Sequence, residues 1–224
     1  MTGIGGGLCR LLHYPCAAVE GYHESLWQTL EQGLEPPWWE LRRAFLLGRV
    51  RAGERVLDVG CGEGRFAAEL HAAGVEVLGG EIAAEPLRRA RERHPELDLV
   101  LLEQEQEWDL EDSSFDAVWA GEVIEHVRDT AAWLNQVRRV LRSGGLLLIS
   151  TPAHTLPRRL ALALSARAFE RHFDPRSDHL RFYTSRSLTE LLEDFGFTDV
   201  ETISAGPLRA GRPLLLCSAR RRRF

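Results

Sequence analysis

The stretch Val56-Leu57-Asp58-Val59-Gly60-Cys61-Gly62-Glu63-Gly64 predicts both the fold class and the main ligand site. Its first four residues predict a short buried strand, and three glycines follow at alternate positions. Glycine at a strand end lets the backbone approach a ligand closely, and the next helix presents free N–H groups at the same place. The nicotinamide-binding fingerprint needs its third glycine at position 65, where Arg65 stands, so the GxGxG spacing disfavours a dehydrogenase.

Short apolar runs alternate with longer amphipathic segments from residue 56 onward, which is the pattern of parallel strands joined by helices. This alternation predicts an α/β fold, a Rossmann-like doubly wound sheet with its ligand crevice at the carboxyl ends of the strands. The predicted strands cover residues 56–59, 75–79, 97–102, 115–120 and 146–150, and the predicted helices cover residues 64–73, 84–94 and 131–141.

The remaining segments extend this pattern at both ends. Residues 1–49 predict an N-terminal helical extension with Trp38 and Trp39 as packing anchors, and residues 50–224 form the main domain. Residues 153–183 interrupt the alternation with a helical stretch, so we expect a lid insertion over the crevice. The last predicted elements are a helix over 187–195 and a hairpin-like edge pair of strands over 198–204 and 214–219.

The composition excludes several classes of enzyme. All 28 basic residues are arginine, so a lysine Schiff base is impossible and a phosphate-binding P-loop would lack its ammonium group. The four cysteines form no CxxC pair, which argues against a disulfide framework or a thiolate zinc site. A formal net charge of −5 argues against a general nucleic-acid surface, although it does not exclude a nucleic-acid partner. We expect a cytoplasmic monomer or homodimer with no membrane span.

Two acids at predicted strand ends accompany the glycine loop. Asp58 ends the first strand and can hold an ammonium group. Glu81 follows the second strand, where a carboxylate can accept hydrogen bonds from both hydroxyls of a ribose. Together they describe a pocket for a nucleoside with a positively charged amino-acid tail. The structural alternative is that residues 60–64 form only a turn and that Glu81 is a solvated acid.

These residues resemble the class I S-adenosylmethionine-dependent methyltransferases, in particular the subfamily with VLDVGCGxG, an acid after the second strand and an FDxV…EHV segment. The resemblance covers residues 50–219 and implies a seven-stranded sheet whose last strand is antiparallel. That family usually has an aspartate after the third strand for the adenine amino group, where this chain offers Glu103, Gln104 and Glu105. The resemblance implies cofactor contacts from Asp58, Gly60, Cys61, Gly62 and Glu81. The predicted cofactor-binding residues also include Gly64, Ile82, Glu103, Gln104 and Glu122.

A second motif follows the fourth predicted strand, where Glu122, Glu125 and His126 are spaced i, i+3 and i+4. In a helix this spacing puts two carboxylates and an imidazole on one face, which makes a half-site for a divalent metal. His179 is the best further ligand, because the lid insertion should return over the crevice. The arrangement resembles the small-RNA terminal 2′-O-methyltransferases, in which EVIEH and a later histidine hold a metal, and the ubiquinone-pathway O-methyltransferases, which methylate phenols.

The same motif fits chemistry without a metal. His126 can act as a lone base or orient the acceptor while Glu122 faces the cofactor, and these two are the candidate catalytic residues. Guanidinium groups of the lid, such as those of Arg171, Arg176 and Arg181, can form ion pairs with an anionic group on the acceptor. We expect O-methylation of a small-molecule hydroxyl. The alternatives are a metal-dependent RNA 2′-O-methyltransferase and a non-catalytic S-adenosylmethionine-binding protein.

Overall fold

The sheet has the strand order of a doubly wound fold. The structure, a computed structural model, describes residues 22–102, 107–208 and 211–223. Its strands are β1 (Arg55–Val59), β2 (Glu76–Glu81), β3 (Asp98–Leu101), β4 (Phe115–Gly121), β5 (Leu141–Pro152), β6 (Phe197–Ala205) and β7 (Leu214–Arg221). They pair in the order β3-β2-β1-β4-β5-β7-β6.

Strand directions place a crevice between β1 and β4. β1 is parallel to both β2 and β4, and the chain order runs outward from this pair in opposite directions. Such a reversal opens a crevice at the carboxyl ends of the strands. β7 lies antiparallel between β5 and β6. The predicted Rossmann-like sheet of seven strands, with its antiparallel edge pair, is confirmed.

Helices cover both faces of the sheet. They are α1 (Tyr22–Thr29), α2 (Trp39–Leu47), α3 (Arg65–Ala72), α4 (Ala84–Arg93), α5 (Thr130–Val140), α6 (Leu156–Leu164), α7 (Ala166–His172) and α8 (Ser185–Asp194). α5 and α8 contribute to one apolar cluster with Leu57 and Val118, whereas α2 and α3 contribute to the other with Val56 and Trp119. Because neighbouring residues of β1 and β4 face opposite clusters, the central strands are buried on both faces.

The fifth strand is longer than predicted. It begins at Leu141, directly after α5, and Leu141 already pairs with Phe115. The register then shifts before Ala117 pairs with Leu146, and Gly144 in this stretch has a φ of 77°. A left-handed glycine lets a strand absorb such a bulge, so the Ser-Gly-Gly segment does not separate helix from strand as the sequence suggests.

The predicted aromatic anchors behave differently from one another. The Trp39 ring packs 4.7 Å from the centroid of Phe66, as predicted. The prediction is wrong for Trp38, which is 38% exposed and precedes α2 in a left-handed conformation with φ 57°. Its position at the helix start directs it away from the core that α2 covers.

The lid insertion is helical, as predicted. α6 and α7 lie within residues 153–183, and none of their side chains is fully buried. The returning chain is fixed by the backbone N–H groups of Leu180 and Arg181, which donate to the carbonyl oxygen of Glu125 at 2.8 and 3.2 Å. Within the described ranges, no helix has the length and apolar character needed to cross a bilayer.

Candidate active site

The glycine loop after β1 has the backbone that its sequence predicts. Gly60, Gly62 and Gly64 have φ values of 72°, 54° and 79°, a region that side chains rarely adopt. A Cβ on Gly60 would lie 2.6 Å from Cγ2 of Val123, so the loop also touches the segment after β4. Gly64 is the N-cap of α3. At Gly62 and Gly64 a Cβ would likewise lie 3.1 Å from another side chain, so the loop leaves no room for a side chain at any of the three positions.

Asp58 presents a carboxylate with one unsatisfied oxygen beside this loop. The residue is 1% exposed, and its Oδ2 has no hydrogen-bond partner among the described residues. Burial, with a smaller contribution from the charge of Glu81, raises the pKa of Asp58 to about 7, against the opposing effects of Arg42 and of a hydrogen bond from the backbone of Ala67. A buried carboxylate oxygen without a partner is costly, so this oxygen is a candidate for a cationic ligand.

Glu81 joins β2 to the glycine loop. Its Oε2 accepts from the N–H of Gly62 at 3.0 Å, and its Oε1 accepts from that of Ile82 at 2.7 Å. Burial raises the pKa of Glu81, and these bonds oppose the rise. The side chain of Ile82 is 37% exposed, whereas that of Cys61 is buried and faces away from solvent. The adenine candidates Glu103, Gln104 and Glu105 lie outside the described residues.

Sequence reasoning missed Arg42, which α2 buries beneath the site. It is 3% exposed, its Nε has no acceptor in the described part of the chain, and its guanidinium lies 4.8 Å over the Phe66 ring. Burial lowers the pKa of Arg42, and the charges of Glu122, Glu125 and Asp58 oppose this effect. Arg42 shares the apolar side of α2 with two buried residues, and a basic residue there was the available signal.

The segment after β4 is a turn, so the condition under which Glu122, Glu125 and His126 would share one helix face is not met. Glu122 has a φ of 58°, which ends the strand without starting a helix. The N–H of His126 then donates to the carbonyl of Val123 at 2.9 Å and closes a single turn. The Oε1 of Glu122 accepts from the Ser150 hydroxyl at 3.1 Å. Burial raises the pKa of Glu122, and Arg42 opposes the rise.

Glu125 is the most deeply buried carboxyl of this turn. It is 1% exposed, its Oε2 accepts from the Thr151 hydroxyl at 2.9 Å, and its Oε1 has no hydrogen-bond partner among the described residues. Burial raises its pKa well above the usual value, and the charge of Glu122 adds to this effect. Glu125 thus offers a second unsatisfied oxygen to the crevice.

His126 and His179 meet beside Glu125. The ring centroids of the two histidines are 4.7 Å apart, and Nε2 of His126 lies 3.9 Å from Oε1 of Glu125. Nδ1 of His126 lies 3.1 Å from the carbonyl oxygen and 3.3 Å from Oδ2 of Asp178. Donation from Nδ1 to Asp178 leaves the Nε2 lone pair directed to the crevice. Burial lowers the pKa of His126 to about 4.

The structure brings together three of the four predicted metal ligands. Glu125, His126 and His179 each offer a ligand atom, and these atoms lie within 4.8 Å of one another. Glu122 is not part of this group; it faces Arg42 and Ser150. Among the described residues this is the single group of at least three such side chains.

Two of the predicted lid arginines are already engaged. Arg176 pairs with Asp174 at 2.6 Å, and the guanidinium of Arg181 donates to the backbone carbonyls of Val127 and Arg128. Arg181 therefore fastens the lid to the turn after β4, a role that differs from the predicted contact with an anionic acceptor.

A family comparison covers most of these residues. Residues 36–202 match a model described as a methyltransferase domain, a range that includes Arg42, the glycine loop, the turn after β4 and His179. This match extends over more than half of the chain, which therefore belongs to this family of methyltransferase domains.

Individual proteins give the same relationship. The chain is 32% identical over 162 residues to the ubiquinone biosynthesis O-methyltransferase of Dinoroseobacter shibae, covering 66% of this chain and 62% of that protein. It is 36% identical over 148 residues to the 27-O-demethylrifamycin SV methyltransferase of Amycolatopsis mediterranei, covering 60% and 54%. Phosphoethanolamine N-methyltransferase 2 of Haemonchus contortus, solved with S-adenosyl-L-methionine, superposes with a TM-score of 0.63 at 20% identity, covering 83% of this chain and 53% of that one. This likeness shows the fold.

Proposed function

We propose that the protein is an S-adenosylmethionine-dependent methyltransferase that methylates a hydroxyl group of a small molecule. The observation that carries the proposal is a charge imbalance at the carboxyl ends of β1 and β4. The buried residues Asp58 and Glu125 and the half-buried Glu122 surround one guanidinium, that of Arg42. An excess of buried carboxyl groups favours a cationic ligand, because a cation removes the cost of ionising them.

The residues present fit the cofactor group by group. Asp58 would hold the ammonium of the amino-acid tail, and the Nε of Arg42 would donate to its carboxylate. Glu81 would accept hydrogen bonds from the ribose hydroxyls, and the glycines between Gly60 and Gly64 would let the ligand approach the loop backbone closely. When bound, S-adenosylmethionine supplies an electrophilic methyl group on a sulfonium. We call this half of the crevice the cofactor side.

The acceptor side is formed by Glu125, His126, Asp178 and His179. Nε2 of His126 would take the proton of the acceptor hydroxyl, and Asp178 would stabilise the resulting imidazolium through Nδ1. The acceptor oxygen bonds to the methyl carbon as the carbon–sulfur bond breaks, and the bonding pair stays on sulfur. In-line transfer of this kind depends mainly on alignment, which the buried turn and its hydrogen bonds provide.

A metal-assisted form of the same reaction is the second candidate. The group formed by Glu125, His126 and His179 favours it, because a buried carboxylate and two imidazoles suit a divalent transition metal. The bond from His126 to Asp178 is also the outer contact that metal-bound histidines usually make. When bound there, a divalent cation would lower the pKa of the acceptor hydroxyl. His126 would then serve as a ligand, and Nε2 would not be available as a base.

Cofactor binding and methyl transfer test the proposal in turn. Calorimetry with S-adenosylmethionine and S-adenosylhomocysteine should give binding to the purified chain, and no binding by either ligand would overturn the proposal. Transfer of a labelled methyl group to a panel of phenols, catechols and sugars should then be assayed after chelation and after addition of Mn²⁺ or Zn²⁺. Full activity after chelation favours His126 as base, and activity restored only by metal favours the second candidate.

The same assay separates the remaining alternatives. Methylation of the terminal ribose of a short RNA, with binding that weakens steeply as salt rises, would indicate an RNA 2′-O-methyltransferase. Binding of S-adenosylmethionine without transfer to any acceptor, with and without metal, would indicate a non-catalytic binding protein.

A further inference from the structure

The second half of helix α1 contacts the cofactor side through packing and hydrogen bonds. Two carbons of the Trp27 ring lie 3.1 and 3.2 Å from the place that a Cβ on Gly62 would occupy, so the indole packs directly on the glycine loop. Arg89 of α4 donates to the carbonyl oxygens of Trp27 at 2.7 Å and of Leu30 at 3.0 Å. Arg89 also pairs with Glu63 of the loop at 3.1 Å, and both of these side chains are buried.

A second pair of hydrogen bonds joins α1 to the start of α4. One carboxylate oxygen of Glu24 accepts from the backbone N–H groups of Ala84 at 2.8 Å and of Glu85 at 3.1 Å. These are free donors at the start of α4, and a carboxylate there is favourable to the helix. α4 begins three residues after Glu81, so both sets of contacts connect α1 to segments that would contact the cofactor.

The residue before Glu24 lies on the acceptor side. The ring of His23 stands edge-on to that of His126, with centroids 6.5 Å apart and planes at 84°. His23 is also close enough to Asp178 and Arg128 for their charges to act on its imidazole. His126 therefore has a histidine ring against it from α1 and another, His179, from the lid.

We propose that His23 is a positioning residue of the acceptor side and that α1 couples it to occupancy of the cofactor side. The inference rests on the proposed function. α1 is a short helix that contacts the glycine loop through Trp27 and the segment after Glu81 through Glu24. When a bound cofactor orders these two segments, α1 and its residue His23 become ordered with them. His23 then fixes the orientation of the His126 ring by edge-to-face packing. Cofactor would bind first, and the acceptor side would be completed by that event.

Histidine reactivity tests the coupling without knowledge of the acceptor. Diethyl pyrocarbonate modification, followed residue by residue by peptide mass spectrometry, should slow at His23 by at least roughly fivefold when S-adenosylhomocysteine saturates the protein. His71 on α3 is exposed and should react at one rate throughout. Trp27→Ala, assayed at a saturating concentration of the same ligand, should abolish the protection at His23. Protection that survives Trp27→Ala means direct shielding and overturns the coupling.

The positioning role has its own readout. His23→Ala should increase the modification rate of His126 by roughly threefold or more, and His23→Phe, which keeps a flat ring at the same place, should restore the slow rate. Failure of the phenylalanine variant to restore it overturns the packing role. If S-adenosylhomocysteine binds but the rate at His23 does not change, the inference falls and the proposed function stands. If the ligand does not bind, both fall.

Discussion

The cofactor side and the acceptor side occupy the same crevice but are assembled differently. Asp58 and Glu81 lie at the ends of two adjacent parallel strands, and the Gly62 amide of the glycine loop donates a hydrogen bond to Glu81 that joins them directly. His126 and His179 come from a turn and from the end of a lid insertion, and they meet because Glu125 accepts the backbone N–H groups of the returning chain.

This difference shows which half of the site tolerates change. The cofactor side depends on backbone geometry, so its glycines are constrained and its ligand groups lie at strand ends. The acceptor side depends on side chains from the turn after β4 and from the end of the lid insertion, whose helices α6 and α7 have no fully buried residue. Under the proposed function, acceptor choice would therefore change through the lid insertion while the cofactor side is kept.

The largest expected effect falls on the cofactor side. Asp58→Asn removes the charge that would pair with the ammonium and keeps the shape, so we expect affinity for S-adenosylmethionine to fall by about 3 kcal/mol, roughly 100-fold. Calorimetry measures this change. Asp98→Asn, at an exposed position where β3 begins, is the matched control and should leave the affinity unaltered. Near-native affinity of Asp58→Asn for S-adenosylmethionine would contradict the proposed contact between Asp58 and the ammonium group.

The acceptor side should respond to a different ligand. His179→Ala removes one of three grouped side chains, and we expect the affinity for Co²⁺ to fall by roughly 10- to 100-fold, judged by its visible absorption. Binding of S-adenosylhomocysteine should not change. His71→Ala, on an exposed part of α3, is the control for loss of an imidazole elsewhere. Equal Co²⁺ affinity in the two variants would exclude the metal-assisted reaction.

The two sides also differ in how far the sequence predicts them. Asp58 and the glycine loop were predictable, because strand periodicity and glycine spacing are local signals. Glu125 and His126 were grouped with His179 on a spacing that would align the first two in a helix, but the chain forms a turn there. Glu122 adopts a left-handed φ, which the neighbouring residues in the sequence do not predict. The residues meet through tertiary hydrogen bonds, which have no sequence period.

Residues that act across elements were missed. Arg42 reaches the site from α2, His23 from α1 and Asp178 from the lid. Each lies far along the chain from the residue that it faces, so only the folded arrangement reveals the contact. The basic residue on the apolar side of α2 was the one local anomaly that could have directed attention to Arg42.

A smaller effect is expected where the two sides touch. Gly60→Ala adds a Cβ 2.6 Å from Cγ2 of Val123 at a φ of 72°, whereas Gly53→Ala adds one at a φ of 80° with nothing within 4 Å. Both variants carry the cost of a left-handed alanine, so their difference isolates the overlap. We expect Gly60→Ala to be less stable than Gly53→Ala by about 1–2 kcal/mol in denaturant unfolding.

A double variant identifies the source of that difference. Val123→Ala removes the methyl group that meets the new Cβ, so Gly60→Ala combined with Val123→Ala should lose less stability than the two single changes added together. Strict additivity would show that the loop and the turn after β4 are independent, contrary to the packing of Val123 on the glycine loop.

The smallest expected effect is a pH dependence confined to the cofactor side. The pKa of Asp58 in the ligand-free protein is raised to about 7, mainly by burial, and a cationic ligand binds the ionised carboxylate. The ionised fraction grows as pH rises, so affinity for S-adenosylmethionine should increase by up to about 10-fold between about pH 6 and 8. Asp58→Asn should flatten this dependence in calorimetry, because the titrating group is gone. An unchanged slope in that variant would assign the titration to another group, with Glu81, whose pKa burial also raises, as the next to test.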